Sequence, residues 1–352
     1  MRAGSISLVL VCHRSSKALP DCLSSFRRQA AAAGVEAEVV AVDHSEDQEE
    51  ARRVADAGVD RLIERPNLGY AAGLNAGVAE ARGEILLLAN PDIRFFEGSL
   101  DRLVAGLERG FDVVGPRFVW DDERTVLLPP AEDPAPLSEI GRSLRRRWKW
   151  SWSRGLSRDL EATWQIWTAE STVPVNSLRG ALLVLRAETM DRFGPLDEGY
   201  FLYYEETEWL RRARRRGARL GLAAEASVQH RWGHSTSSTD GAVEIEQRSR
   251  ERFLERNYIP ISRWLLRAVS GGDQRPPIAV SELGDSEEIP EVEADLWLAS
   301  PSPHLMPALG CVQSKGLPQV FVDFCRSWKW VVAAAVRDGA TWHISGAWVW
   351  GG

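Results

Sequence analysis

Asp92 closes the apolar run of "EILLLANPDIRFF", residues 84–96, which stops at Asn90-Pro91-Asp92. Proline ends a strand ladder, so Asp92 is expected just past the carboxyl end of a strand, the edge where open α/β sheets bind ligands. The same three residues would also make an ordinary strand-to-helix turn. Asp43 in "VVAVDHSED" ends a second apolar run. A carboxylate there can accept hydrogen bonds from a base or ribose, or can cap the next helix. "RPNLGYAAGLNAG", residues 65–77, sets Gly69 and Gly73 one helical turn apart, with Asn67 before the helix and Asn75 within it. Small residues at a helix start let a ligand reach free N–H groups suited to diphosphate or ribose oxygens. The chain has neither GxGxxG nor GxxxxGK[ST], so neither a Rossmann dinucleotide site nor a P-loop is supported.

"YYEETEW", residues 203–209, opens an arginine-rich helix and puts Glu205, Glu206 and Glu208 in its first turn. The helix dipole favours anions there with no function implied. Tyr203, Tyr204 and Trp209, however, offer aromatic surface suited to a sugar, and crowded carboxylates raise one another's pKa towards that of a useful base. "VQHRWGHSTSS" brings His230 and His234 after a further strand. Either is an ordinary core or surface histidine if alone. Together with Asp92 and diphosphate oxygens, an imidazole would complete a site for Mg²⁺ or Mn²⁺ in preference to Zn²⁺.

These residues need a scaffold. Strands are expected at 6–11, 38–43, 61–64, 84–89 and 112–114, and helices at 19–33, 47–57, 71–82 and 97–109, several closed by glycine. Alternating βα units imply an α/β fold, a mostly parallel sheet flanked by helices. The pattern returns with a strand at 181–186, a helix at 187–193 and helical sequence over 243–270. The reading is a first domain over 1–270 containing an excursion at 120–172, an acidic Pro/Gly-bearing linker at 271–295, and a small β-rich module at 296–352. "LPQVFVDF", "WKWVVAAAV" and "ATWHISGAWVW" are taken as the module's strands.

A net charge of −7 argues against a general nucleic-acid binder. Cys12, Cys22, Cys311 and Cys325 are scattered with no CxxC pair, which points to reduced thiols and a cytoplasmic protein. The apolar stretch at 6–11 is too short to span a membrane and has no cleavage site after it.

Taken in order, the motifs resemble those of the GT-A glycosyltransferases of family 2, and most closely the rhamnosyltransferase-like branch. In that branch Asn-Pro-Asp after an apolar strand replaces the usual DxD metal motif, as in "LLLANPD" here. "RPNLGYAAGLNAG", "RGALLVLRAETMDRFGPLDEGYFLYYEETEWLRRARRRG" and "HRWGHS" match further stretches of the family pattern, and the likeness runs from about residue 5 to 256. The resemblance implies inverting transfer from a nucleoside-diphosphate sugar, with a dTDP-deoxysugar such as dTDP-L-rhamnose favoured, to an acceptor hydroxyl on a natural product or saccharide. By the same resemblance Asp43 would meet the base, and Asn67 and Asn75 the ribose and diphosphate. Asp92 would hold the metal with His230 or His234, and Glu206 would be the catalytic base, with Glu205 the neighbouring choice. The family usually has Asp at that position and Tyr-Asn after its first strand, where this chain has Glu206 and "VCHRSS".

A non-catalytic carbohydrate- or nucleotide-binding scaffold is the competing class, and the presence of both Asp92 and Glu206 argues against it. A sugar nucleotidyltransferase would want a Gly-rich basic loop after the first strand, which "VCHRSSKALP" does not supply. Trp148, Trp150 and Trp152 alternate in "RRRWKWSWSRG" and are expected on one face of a strand bounding the acceptor pocket. Membrane contact is expected to be peripheral at most, and a homodimer is left open.

Overall fold

The computed structural model describes residues 4–145, 149–230, 241–270, 278–285, 287–302, 304–305, 307–312 and 317–351. The chain divides into two compact units. The first takes Met1–Phe118, Ala131–Asp133 and Ala169–Asn257; the second takes Val119–Pro130, Pro134–Thr168 and Tyr258–Gly352.

In the first unit β1 (Ile6–Cys12) is buried along its whole length, as a central parallel strand covered on both faces must be. It is followed by α1 (Leu19–Ala33), β2 (Ala37–Asp43), α2 (Gln48–Asp56), β3 (Arg61–Glu64), α3 (Tyr70–Glu80) and β4 (Ile85–Ala89). β3, β2, β1 and β4 lie side by side and parallel. Their register sets Cys12 opposite Asp43 and Leu10 opposite Ala89, so their carboxyl ends form one edge. Asp47, and not Asp43, caps α2, accepting from the Glu49 and Glu50 amides.

The chain continues through β5 (Ile93–Phe95), α4 (Ser99–Glu108) and β6 (Val113–Val119). The second unit supplies β7 (Val126–Leu127), α5 (Pro136–Arg145) and α6 (Lys149–Trp167), and the first unit resumes with β8 (Thr172–Val175) and β9 (Leu182–Arg186). β9 runs antiparallel to β4, pairing Leu182 with Ala89, so it begins where the parallel strands end. α7 (Ala187–Phe193), α8 (Glu205–Arg215), β10 (Leu220–His230) and α9 (Ala242–Asn257) complete this unit. β10 pairs antiparallel with β5 and sets His230 opposite Ile93. The expected α/β class is the one found, with antiparallel β9 and β10 making the sheet mixed beyond its four parallel strands.

The second unit also holds α10 (Pro260–Ser270), β11 (Ser281–Leu283), β12 (Leu296–Ser300), β13 (Leu309–Cys311), α11 (Gln319–Ser327), β14 (Val331–Asp338) and β15 (Thr341–Trp350). Its strands run in the order β11-β15-β14-β12-β13-β7. Four expectations change here. The tryptophan segment is not a strand: α6 is a helix whose buried residues Trp152, Leu156, Leu160, Thr163 and Trp167 repeat at helical spacing. Trp148 lies outside the described residues. "LPQVFVDF" is likewise helical, since α11 follows Pro318 and buries Phe321 and Cys325, one turn apart. The stretch at 271–295 contains β11, which pairs with β15. Residues 134–168 belong with the C-terminal strands and not with a 1–270 domain.

Candidate active site

Asp92 follows β4 by three residues, and β5 begins directly after it. Its carboxylate is 11% exposed and lies 3.6 Å from His230 Nε2 at the end of β10. The Nδ1 of His230 is buried with no hydrogen-bond partner among the described residues. Burial foremost, with Arg179 assisting and Asp92 opposing, lowers the His230 pKa, so the ring is held neutral, the form that can ligate a cation. Asn90 fixes the turn: its amide donates to the Ala181 carbonyl at 3.0 Å and its Oδ1 accepts from the Tyr70 hydroxyl at 2.8 Å.

Glu205 and Glu206 open α8 after two strained residues, Tyr203 and Tyr204, both at φ 69°. A non-glycine residue there costs roughly 1–3 kcal/mol, a cost that clusters at functional sites. Neither Oε2 of the two carboxyl groups has a donor among the described residues. The two side chains are hydrogen-bonded to each other, which requires a proton on one of them. Burial and the neighbouring Glu206 charge push Glu205 well above the ordinary range. Burial also raises Glu206, while hydrogen bonds from Glu205 and from backbone amides, and the charge of Arg179, pull the other way. Glu205 is thus raised further than Glu206, and the two titrate as one pair.

Arg179 lies just before β9. Burial lowers its pKa to about 10, against the charges of Glu206 and Glu132. Gly180 brings the backbone so close that a Cβ would stand 2.6 Å from Glu206 Cγ. The Tyr70 hydroxyl is raised by burial and then by the charges of Glu205, Glu206 and Asp92. Sequence reasoning missed Arg179, Gly180, Tyr70 and Asn90. The trace for the first two was "RG" just before an apolar run, where an antiparallel strand starts at the edge at which parallel ones finish.

The expected nucleotide residues fare unevenly. Asp43 is buried, accepting from the Ser45 amide at 3.1 Å and its hydroxyl at 2.7 Å. Asn67 Oδ1 accepts from the Gly69 amide at 3.1 Å, a local turn. Gly69, at φ 102°, is small because the Phe201 backbone lies against it, and Gly73 because Val11 and His44 do. Asn75 spends its whole amide on the chain: Nδ2 donates to the Leu196 carbonyl at 3.0 Å and Glu198 Oε1 at 2.9 Å, and Oδ1 accepts from the Leu196 amide at 3.0 Å. That makes it a clamp on α3. His234 lies outside the described residues. Among the described residues no three His, Cys, Asp or Glu side chains gather as a metal cage. Asp92 with His230 fits a cation that takes its remaining ligands from phosphate and water, as Mg²⁺ commonly does.

The chain is 24% identical over 259 residues to a low-salt glycan biosynthesis hexosyltransferase (Agl10) of Haloferax volcanii, covering 72% of this chain and 76% of that protein. It is 27% identical over 188 residues to an N-acetylglucosaminyl-diphospho-decaprenol L-rhamnosyltransferase of Mycobacterium tuberculosis, covering 48% of this chain and 58% of that one. Among solved structures, GalNAc-T7 with UDP, GalNAc and Mn²⁺ aligns at 15% identity and TM-score 0.48 over 72% of this chain and 48% of that one. The mannosyltransferase PcManGT of Pyrobaculum calidifontis with GDP-Man and Mn²⁺ aligns at 15% identity and TM-score 0.47, over 76% and 69%. Residues 7–164 match the family model described as Glycosyl transferase family 2, and over that stretch the chain is similar to that family.

Proposed function

We propose that this protein is a GT-A glycosyltransferase of family 2, inverting and metal-dependent, acting on a nucleoside-diphosphate sugar. One observation carries the reading: Asp92 lies 3.6 Å from His230 at the end of β10, a pair that would hold a cation, and the acids Glu205 and Glu206 at the start of α8, both raised by burial, would take a proton. Glu206 takes the proton of an acceptor hydroxyl. The oxygen forms its bond to the anomeric carbon as the bond from that carbon to the diphosphate breaks, and the nucleoside diphosphate leaves with the electron pair. The positive charge of Arg179 favours the ionised form of Glu206. A divalent ion on Asp92 and His230 would stabilise charge developing on the departing diphosphate.

A dTDP-deoxysugar is the favoured donor, on the motif pattern and on the similarity to an L-rhamnosyltransferase. The acceptor carries a free hydroxyl, on a saccharide or natural product. Four cysteines buried as free thiols support a reducing, cytoplasmic setting. The test is nucleotide release from a panel of dTDP- and UDP-sugars with Mn²⁺, run on wild type, Asp92→Asn and Glu206→Gln. Both substitutions should lower turnover by about 10²–10⁴-fold. Donor binding without turnover by the wild type would leave a carbohydrate- or nucleotide-binding scaffold, and no binding of any donor would sink the reading.

A further inference from the structure

The second unit presents an apolar surface far larger than an isolated exposed side chain. Ile259 (64% exposed), Ile261 (57%), Trp264 (63%) and Leu265 (38%) lie on α10 and the turn before it. Ile261, Trp264 and Leu265 are spaced i, i+3 and i+4, so they share one helix face. The opposite side of the helix is anchored, with Leu266 4% exposed. Contiguous apolar patches of this kind mark interaction or membrane surfaces, whereas single exposed residues need no explanation.

The charge around this face runs against that of the chain. The protein carries a net charge of −7. α10 has Arg263 and Arg267 and no acidic residue. α5 packs directly on α10. Residues 136–158, which contain α5 and open α6, hold six arginines and Lys149 against the single acid Glu139. An apolar helix face containing tryptophan and flanked by arginine suits the headgroup boundary of an anionic bilayer, where apolar side chains enter and cations stay at the phosphates.

We infer that α10 docks the protein on an anionic lipid surface through Ile259, Ile261, Trp264 and Leu265, with Arg267 at the phosphates. Contact is interfacial, since no helix among the described residues is long and apolar enough to cross a membrane. The inference does not depend on the proposed reaction.

Co-flotation of the full chain with equimolar phosphatidylcholine–phosphatidylglycerol vesicles tests it, beside pure phosphatidylcholine vesicles. Wild type should float with the anionic vesicles, less so as salt rises, and stay behind with the neutral ones. Ile261→Ser with Trp264→Ser should lower partitioning at least tenfold, and Arg267→Glu by about fivefold or more, near the worth of one basic residue at such a surface. Both variants change exposed positions, and far-UV circular dichroism checks that they fold. No flotation of wild type at physiological salt overturns the proposal, as does binding untouched by either variant. If light scattering shows wild type as a dimer and the double variant as a monomer while lipid binding is unchanged, the face joins two copies instead.

Discussion

At the scale of single residues, the proposed reaction turns on how a proton is shared by Glu205 and Glu206. Burial raises both, and we assign the first ionisation to Glu206, which hydrogen bonds from backbone amides and from Glu205, and the charge of Arg179, hold lower. Activity should therefore fall on the acid side at a pH above the ordinary carboxylate range. Glu205→Gln keeps a donor and should leave that limb near its wild-type position. Glu205→Leu removes the donor, and with it a cause that lowers Glu206, so the limb should move to higher pH. Rate–pH profiles of the three proteins decide this, and a limb that moves down in Glu205→Leu would refute the assignment of the proton to Glu205. Gly180→Ala offers a second check. Its Cβ would meet Glu206 Cγ at 2.6 Å and must displace the side chain. kcat should drop, while donor affinity by calorimetry stays within about twofold, because a base acts mainly in the transition state. Equal losses in both would mean that the backbone at Gly180, not Glu206, had moved.

At the scale of elements, the strand ends were legible and the reasons for the small residues were not. Apolar runs of four to six residues stopped by Asp43 or by Asn90-Pro91 place the parallel strands from sequence alone, because a strand covered on both faces has to be continuously apolar. Glu205 and Glu206 were readable because a helix start followed by arginines shows its polarity in charge. Gly69, Gly73 and Asn75 read in sequence as room and donors for a ligand, while the close packing against Phe201, Val11 and His44, and the tie to Leu196, are long-range facts that no local pattern carries. The tryptophans at 148, 150 and 152 misled for a related reason. Three alternate residues mimic a strand, while the helical repeat appears only when the window reaches Trp167. The clamp role of Asn75 has a direct consequence. Asn75→Ala removes three hydrogen bonds joining α3 to residues 196–198 and should cost about 1–3 kcal/mol in urea unfolding. Nucleotide affinity of the folded variant should stay close to wild type. A large loss of affinity with an unmoved unfolding midpoint would instead return Asn75 to the donor site.

At the scale of the whole molecule, the order of the sequence and the order of the packing disagree, and a truncation exposes the difference. Read linearly, 296–352 is a small module behind a linker, and a chain ending at Ser270 should keep everything before it. The second unit is built otherwise, from Val119–Pro130, Pro134–Thr168 and Tyr258–Gly352 together. α6 packs on β15, and Trp342 donates its amide to Ser157 Oγ at 2.8 Å. Arg337 pairs with Glu161 at 2.7 Å, and the Trp342 indole donates to the same carboxylate at 3.0 Å. Trp167 donates its indole N–H to the Leu128 carbonyl at 3.0 Å and fills the space beside Gly310, where a side chain would collide with it. Cutting after Ser270 removes every strand of that unit except β7. Trp152, Leu156, Leu160 and Trp167 are buried in the full chain, and burial of each is worth roughly 1.5–3 kcal/mol. Losing their partners forfeits an amount comparable to the entire stability of a domain. The truncated chain should therefore bind the dye ANS, be cleaved by trypsin within 142–158, and aggregate at concentrations where the full chain stays in solution. A truncated protein that is monomeric, does not bind ANS, and resists trypsin across α5 and α6 would mean those helices hold together without the C-terminal strands.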